Sequence, residues 1–316
     1  MIKQWQAILG VFLFFSVAAC NKYKKPVAGW REITFLMTGD SEYNSPTDAT
    51  RCEFVIAEMN VMQGKAHPHA GLGTISNVLG VLLAGDVTLN ATTGNSFSTP
   101  EFVQFETQYG LNGGDGDLNY PVYEGYGNHD YWTNDPSGVQ NWPLYGDKPV
   151  LEAIKSRHGS VLYSWDWGMF HMVNLGLYPG NTDQASHSLD FLKNDLANNV
   201  GTSGKPVILY HHYGFDDFGL QWWADSERQA YFDVVKDYNV IGILCGHRHW
   251  STYDTWNGIN VYTAPAANGR RAGYPGFFVV QIKNDSLYVT ERGCPGYPND
   301  KTWQWGQTDA RKVILP

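Results

Sequence analysis

At 316 residues, 43% hydrophobic and 15% aromatic, the chain can bury a large core and lies far from the composition of disordered sequence. A formal net charge of -9 argues against the clustered Lys and Arg by which proteins grip nucleic-acid phosphates irrespective of sequence. No nucleic-acid partner is expected, and one large domain or two small ones would fit the length.

Residues 1–20 read as a signal peptide. Lys3 precedes the apolar run "AILGVFLFFSVAA", which is short for a bilayer-spanning helix and stops at small residues before Cys20. The ending "VAAC" resembles the lipobox of bacterial lipoproteins; an ordinary signal with an incidental cysteine is the alternative. Residues 21–30, with Pro26 and Gly29, read as a tether, leaving 31–316 as the folded domain. The expectation is an exported, lipid-anchored cell-envelope protein, periplasmic or on the surface, that meets the membrane only through Cys20. Three cysteines then remain, Cys52, Cys245 and Cys294, so at most one internal bridge can form. Cys52–Cys294 pairing stays open, and Cys245 in "VIGILC" reads as a small buried residue.

Along the domain, short apolar runs end in polar, Gly-containing turns: "REITFLMTGD", "GVLLAGD", "YPVYEGYGNHD", "KPVILYHH" and "NVIGILCGHRH". These predict buried strands. Between them, Phe54, Val55, Met59 and Met62, then Leu189, Leu192 and Leu196, then Tyr231, Val234 and Val235, recur at helical spacing. Two longer stretches read as hairpins with tight turns at Trp167-Gly168 and Asn284-Asp285. Strands alternating with helices, plus hairpins, predict an α/β domain with a mixed sheet, or two sheets packed together.

The metal-capable residues fall just after the five apolar runs: Asp40; Asp86; Asn128, His129 and Asp130; His211 and His212; His247 and His249. Ligands of α/β sheets bind at the carboxyl ends of strands, so these groups are expected to converge. Carboxylates, imidazoles and one amide, without thiolate, suit a divalent Mn, Fe or Zn ion. They exceed what one ion takes and would serve two ions about 3.5 Å apart, an arrangement suited to hydrolysis at phosphorus.

In order and strand context, "GD" in "LLAGDVTLN", "GNHD", the His pair of "LYHHYGFD" and "GHRH" resemble the motifs of the calcineurin-like metallophosphoesterases. The resemblance implies a four-layer α/β/β/α sandwich, two mixed sheets flanked by helices, with the metal site at the C-terminal ends of strands. It implies hydrolysis of phosphate monoesters or diesters by a metal-bridging hydroxide. Asp86 would bridge two divalent ions; Asn128 and His247 would bind the second, Asp40 and His249 the first. Of the two neighbouring histidines, His211 is favoured over His212 for the second ion, because Tyr213 stands where the family's "His, any residue, Pro" has its proline. His129 would assist the leaving group, with Asp130 orienting its ring.

The first motif departs from the family: Asp40, Ser41, Glu42 stand where Asp, any residue, His is usual. Glu42 is expected as a direct or water-mediated ligand, since strand alternation puts it on Asp40's side; the alternatives are an approach by Tyr43 or a mere turn residue. His67 and His69 lie on a Gly/Pro loop, and His69 is a candidate for substrate phosphate. Among the loop tryptophans 132, 142, 222, 223, 250 and 256, Trp132 and Trp250 are the preferred substrate contacts, for a phosphorylated small molecule, glycan or lipid headgroup. Arg270 and Arg271 are left open between phosphate binding and a solvated turn. The rival reading is a surface-anchored ligand- or glycan-binding protein on a catalytically impaired scaffold of the same kind.

Overall fold

The computed structural model describes residues 31–90, 101–131, 149–271 and 273–316. Residues 1–30, read above as a signal and a tether and including Cys20, lie outside them, as do Trp132 and Trp142. The first sheet is built from β1 (Ile33–Thr38), β2 (Val78–Leu83), β3 (Val122–Glu124), β10 (Gly276–Lys283), β11 (Ser286–Gly293) and β12 (Gln304–Lys312), in the order β12-β11-β10-β1-β2-β3. The second is built from β4 (Tyr163–Trp167), β5 (Phe170–Asn174), β6 (Val207–His211), β7 (Val240–Cys245), β8 (Thr252–Trp256) and β9 (Ile259–Thr263), in the order β4-β5-β6-β7-β9-β8. β1, β2 and β3 run parallel, as do β5, β6, β7 and β9, and the remaining pairings are antiparallel. Both sheets are mixed.

Alternation within the strands explains the layering. In β1, Ile33, Phe35 and Met37 join Met172, Ile208, Tyr210, Phe278 and Val280 in one core between the sheets. Leu36 points the other way, into a second core with Val55, Ile56 and Met59 of α1 (Pro46–Asn60). A strand buried on both faces reads as a near-continuous apolar run, and "ITFLMT" is one broken by Thr34 and Thr38, both buried. α1 starts where Ser45 accepts a hydrogen bond from the Asp48 amide, with Pro46 in the first turn. On the second sheet, Leu192 and Leu196 of α2 (Ser188–Asn199) and Tyr231 and Val235 of α3 (Asp225–Val235) cover the outer face. The outcome is the expected four-layer α/β/β/α sandwich.

Both predicted hairpins form. β4 and β5 pair antiparallel around Gly168, and β10 turns into β11 through Asn284 and Asp285, each at φ 53°, the left-handed pair a two-residue turn demands. Phe54 departs from its expected core position: it leaves the α1 apolar face and stacks on Trp303 at 4.9 Å. Cys52, Cys245 and Cys294 are buried and unbridged. The Cys52 thiol points to the Ser41 carbonyl and that of Cys294 to the Asp300 carbonyl, so no Cys52–Cys294 bridge exists.

Candidate metal centre

Five chain segments leave parallel strands at one edge and meet there. After β1, Asp40 and Glu42 are drawn over the end of β2 by backbone hydrogen bonds from the Asp40 amide to the Gly85 carbonyl (3.0 Å) and from the Glu42 amide to the Asp86 carbonyl (2.9 Å). Asp40 (φ 54°), Glu42 (φ 41°), Asp86 (φ 50°), His247 (φ 72°) and His249 (φ 71°) all occupy the left-handed region. Non-glycine residues enter it rarely, and such strain gathers at functional sites. Glu42 thus reaches Asp40's side through a left-handed turn, and strand alternation plays no part: β1 has ended at Thr38.

Asp86 sits at the centre. Its Oδ1 accepts the His129 amide at 2.8 Å, and its Oδ2 lies 3.1 Å from His212 Nε2. Gly127 allows this approach, because a Cβ there would stand 2.5 Å from the Asp86 nitrogen. On one side, single ligand atoms of Asp86, His212 and His247 lie within 4.8 Å of one another, and those of Glu42, Asp86 and His129 do likewise. Asn128 Oδ1 is 3.1 Å from His212 Nε2. On the other side, His249 Nε2 lies 3.5 Å from Asp40 Oδ1 and 3.6 Å from Glu42 Oε1.

The imidazoles are aimed. His212 Nδ1 donates to the Ala84 carbonyl (2.6 Å), His249 Nδ1 to the Arg270 carbonyl (2.8 Å) and His129 Nδ1 to the Leu89 carbonyl (2.8 Å). A ring nitrogen fixed on a carbonyl leaves the other nitrogen's lone pair directed into the site, the arrangement expected of metal-binding histidines. The cluster's own charges compete. Burial pushes the Asp40 carboxyl up to about 6 against the pull of His249 and His212. Burial works against His212, yet Asp86 and Asp40 hold it up to about 9, and burial with the nearby His212 drives His247 well below its usual range. Glu42 Oε1 and Oε2 and His247 Nε2 are buried without a hydrogen bond. Buried carboxylates are ordinarily paired or bound to metal, so this donor set fits divalent cations.

Several expectations need correction. His211 is not at the cluster: its ring lies 5.8 Å from each of Phe215, Trp223 and Tyr231, and His212 takes the place assigned to it. Burial lowers His211 to about 3, as befits a neutral packed imidazole. Asp130 does not orient His129. Its carboxylate accepts from the Val87, Thr88 and Gly127 amides and the Thr88 hydroxyl, pinning the "GNHD" loop to the Asp86 turn, and the Leu89 carbonyl fixes His129 instead. His69 packs on Tyr288 at 5.0 Å. Tyr288 pairs with Gln281 and Gln281 with Thr34, at the end of β1 opposite Asp40, so His69 cannot touch a substrate here.

Trp250 is 43% exposed beside His249, with the Arg248 guanidinium 4.6 Å from its ring centre. Two aromatic groups not favoured in advance stand closer to the cluster. Phe218 stacks on His247 at 4.8 Å and Trp222 meets the same ring edge-on at 5.3 Å, both partly exposed. Their signal was "DDFGLQWW", immediately after the His pair. Arg271, left open in the sequence, puts Nη2 3.3 Å from Glu42 Oε1 and 3.5 Å from His129 Nε2.

Two mixed sheets flanked by helices, with aspartates, histidines and an asparagine at the strand ends, have the architecture that the resemblance to the calcineurin-like metallophosphoesterases implied. Among solved structures, the chain is similar to a dimetal phosphatase from Danio rerio at 12% identity and a TM-score of 0.56, covering 89% of this chain and 99% of that one. It is also similar to GAP50, the anchor in the inner membrane complex of Plasmodium, at 11% identity and a TM-score of 0.54, covering 90% of each chain. No family model and no curated protein matches the sequence. At these identities the likeness is one of fold.

Proposed function

We propose that the protein is a phosphoesterase dependent on two divalent ions that hydrolyses phosphate monoesters or diesters. The observation that carries this reading is the group of buried carboxylate and imidazole atoms of Glu42 and His247 that no hydrogen bond satisfies, ringed by Asp40, Asp86, Asn128, His212 and His249. Asp86, Asn128, His212 and His247 would hold one ion; Asp40, Glu42, Asp86 and His249 the other. When bound, the ions would supply Lewis acidity at phosphorus and a water of lowered pKa. Arg271 neutralises oxygens of the reacting phosphate. His129, with Nδ1 committed to the Leu89 carbonyl, presents Nε2 to the leaving oxygen as its general acid. Phe218, Trp222 and Trp250 wall the approach and take the organic part of the ester.

The fold alone does not make an enzyme, since an anchor protein shares it. The complete ligand set favours hydrolysis over the binding-protein reading. The test is metal content by mass spectrometry together with turnover of p-nitrophenyl phosphate and bis(p-nitrophenyl) phosphate. Two ions per chain and metal-dependent turnover are expected; no bound metal, or turnover indifferent to chelator, would refute the reading. His129→Ala should keep both ions and lose more rate on alkyl phosphates, whose leaving groups need a proton, than on p-nitrophenyl phosphate. Export and lipid attachment at Cys20 also belong to this proposal, and Cys20→Ala should move the protein from the detergent to the aqueous phase on partition. Among the described residues, no helix is long and apolar enough to cross a membrane.

A further inference from the structure

A cavity of about 500 Å³ opens next to the cluster, lined by Arg51, Gly269, Arg270, Arg271, Tyr297 and Pro298. In a chain of formal charge -9, three guanidiniums gather around one hollow. Their compensation is thin. Arg270 Nη1 is buried with no hydrogen-bond partner, its nearest carboxylate being Asp48 at 3.9 Å. Among the described residues Arg51 reaches the Asn268 carbonyl at 3.5 Å, and Arg271 faces Glu42 at 3.3 Å. A guanidinium seeks planar, paired acceptors such as phosphate or carboxylate, and like charges held together without them repel.

The hollow is also fastened to the metal cluster. Asn268 donates to the Ser41 carbonyl, between Asp40 and Glu42, and its Oδ1 accepts the Arg270 amide. The Arg270 carbonyl in turn holds His249. Arg271, at the shared wall, has one face to Glu42 and His129 and the other to the cavity.

We infer that this arginine cavity is a subsite for a second anionic group of the substrate, so that the preferred ester carries a further phosphate or carboxylate beyond the one hydrolysed. The inference rests on the phosphoesterase reading for the reacting group, but the anion site itself does not need the metals. In it, Arg51 and Arg270 bind the distal anion while Arg271 is shared between the two groups. The phosphate ester is thereby oriented with its organic part spanning from the cluster to the cavity.

Calorimetric titration tests this with alkane-1,n-bisphosphonates of two to four carbons, the matching ω-carboxyalkylphosphonates and plain alkylphosphonates, on the metal-loaded protein. The doubly anionic compounds should bind about tenfold or more tightly than the alkylphosphonates, as an added charged hydrogen-bonded pair implies. That preference should fall several-fold in Arg51→Gln and vanish in the Arg51→Gln/Arg270→Gln double variant. A stronger preference for the bisphosphonates assigns a phosphate to the subsite, and one for the carboxy compounds assigns a carboxylate. Equal affinity for singly and doubly anionic compounds in the unaltered protein would overturn the inference. So would a preference that survives in the double variant, which would be chelation at the cluster. Inorganic pyrophosphate titrated into metal-free protein separates the two readings. Binding lost in Arg51→Gln, in a protein that turns over no ester, sinks the phosphoesterase reading and leaves the subsite standing. Absent binding in a protein that does turn over esters sinks the subsite alone.

Discussion

The neighbours His211 and His212 offer a paired test, because adjacent residues of one type are given opposite work. Truncating His211 to Ala empties a fully buried site between Phe215, Trp223 and Tyr231, a large-to-small core change that costs about 2–4 kcal/mol. Truncating His212 removes the Nε2 beside Asp86 and the donor to the Ala84 carbonyl. Losing a mere outer-shell partner of a metal ligand costs about 10–100-fold in affinity, so loss of a group in ligating position should cost about 100-fold or more. At a metal concentration of about 100 times Kd, binding stabilises the fold by about 2.7 kcal/mol; after a 100-fold loss, only about 0.4 kcal/mol remains. Thermal unfolding with and without added Mn or Zn, alongside metal analysis after dialysis, reads both terms. His211→Ala should melt earlier yet keep its full metal-induced shift and two ions. His212→Ala should lose one ion and that ion's share of the shift, keeping the share of the other. The opposite pattern, with His211→Ala losing the shift and His212→Ala keeping it, would refute the placement of the second ion.

Glu42→Gln keeps the size but removes a charge from the corner shared with Asp40 and His249, and should lower metal content toward one ion per chain; an unchanged content of two would make Glu42 a turn residue. Gly127→Ala should cost both stability and metal binding, because the new Cβ would collide with Asp86 Oδ1, and a variant with unaltered metal affinity would show that the loop can yield. His171 bridges Asp166 and Asp195 at 2.7 Å each. Burial opposes its charge, but the hydrogen bonds it donates to these carboxylates raise its pKa, while those Asp195 accepts from His171 and Ser164 lower its own against burial. A raised histidine stabilises below its unfolded value of about 6.5 and loses that contribution as pH rises through its folded value. A depressed aspartate stabilises above about 3.9 and loses it as pH falls. Urea midpoints should therefore show the largest deficit of His171→Gln between those limits, at about pH 5–6, and a deficit independent of pH would count against the pair.

Much of the site was legible because sequence marks where strands end. Asp40, Asp86, Asn128, His247 and His249 each follow an apolar run, and parallel order brings those ends to one edge. The choice between His211 and His212 was legible too, but from a different signal. Val207 and Leu209 lie in the outer core with Tyr231, while Ile208 and Tyr210 face the other sheet. Strand parity therefore sends His211 outward with Val207 and Leu209, and frees His212 just beyond the strand. The missing-proline argument pointed to the wrong neighbour because it weighed motif spelling above the two-residue period. Asp130 was misread for a physical reason: its acceptors' partners are backbone amides, which no residue pattern displays. His69 was misplaced because the register linking Thr34 to Gln281 and Gln281 to Tyr288, which fixes its distance from Asp40, is not written in the loop.

The left-handed backbone of Asp40, Glu42, Asp86, His247 and His249 bears on how such a fold can change over generations. Each of these residues holds a conformation that costs an L-residue about 1–2 kcal/mol and that glycine adopts freely. Replacement of any of them by glycine would relieve strain while deleting a metal-facing group. Drift away from catalysis is then downhill in folding energy, and Glu42→Gly should melt higher than the unaltered chain when both are stripped of metal. A lineage that stops needing hydrolysis would gain robustness by losing it, and the sandwich would survive as a scaffold for other uses. This chain carries all five side chains on that reluctant backbone.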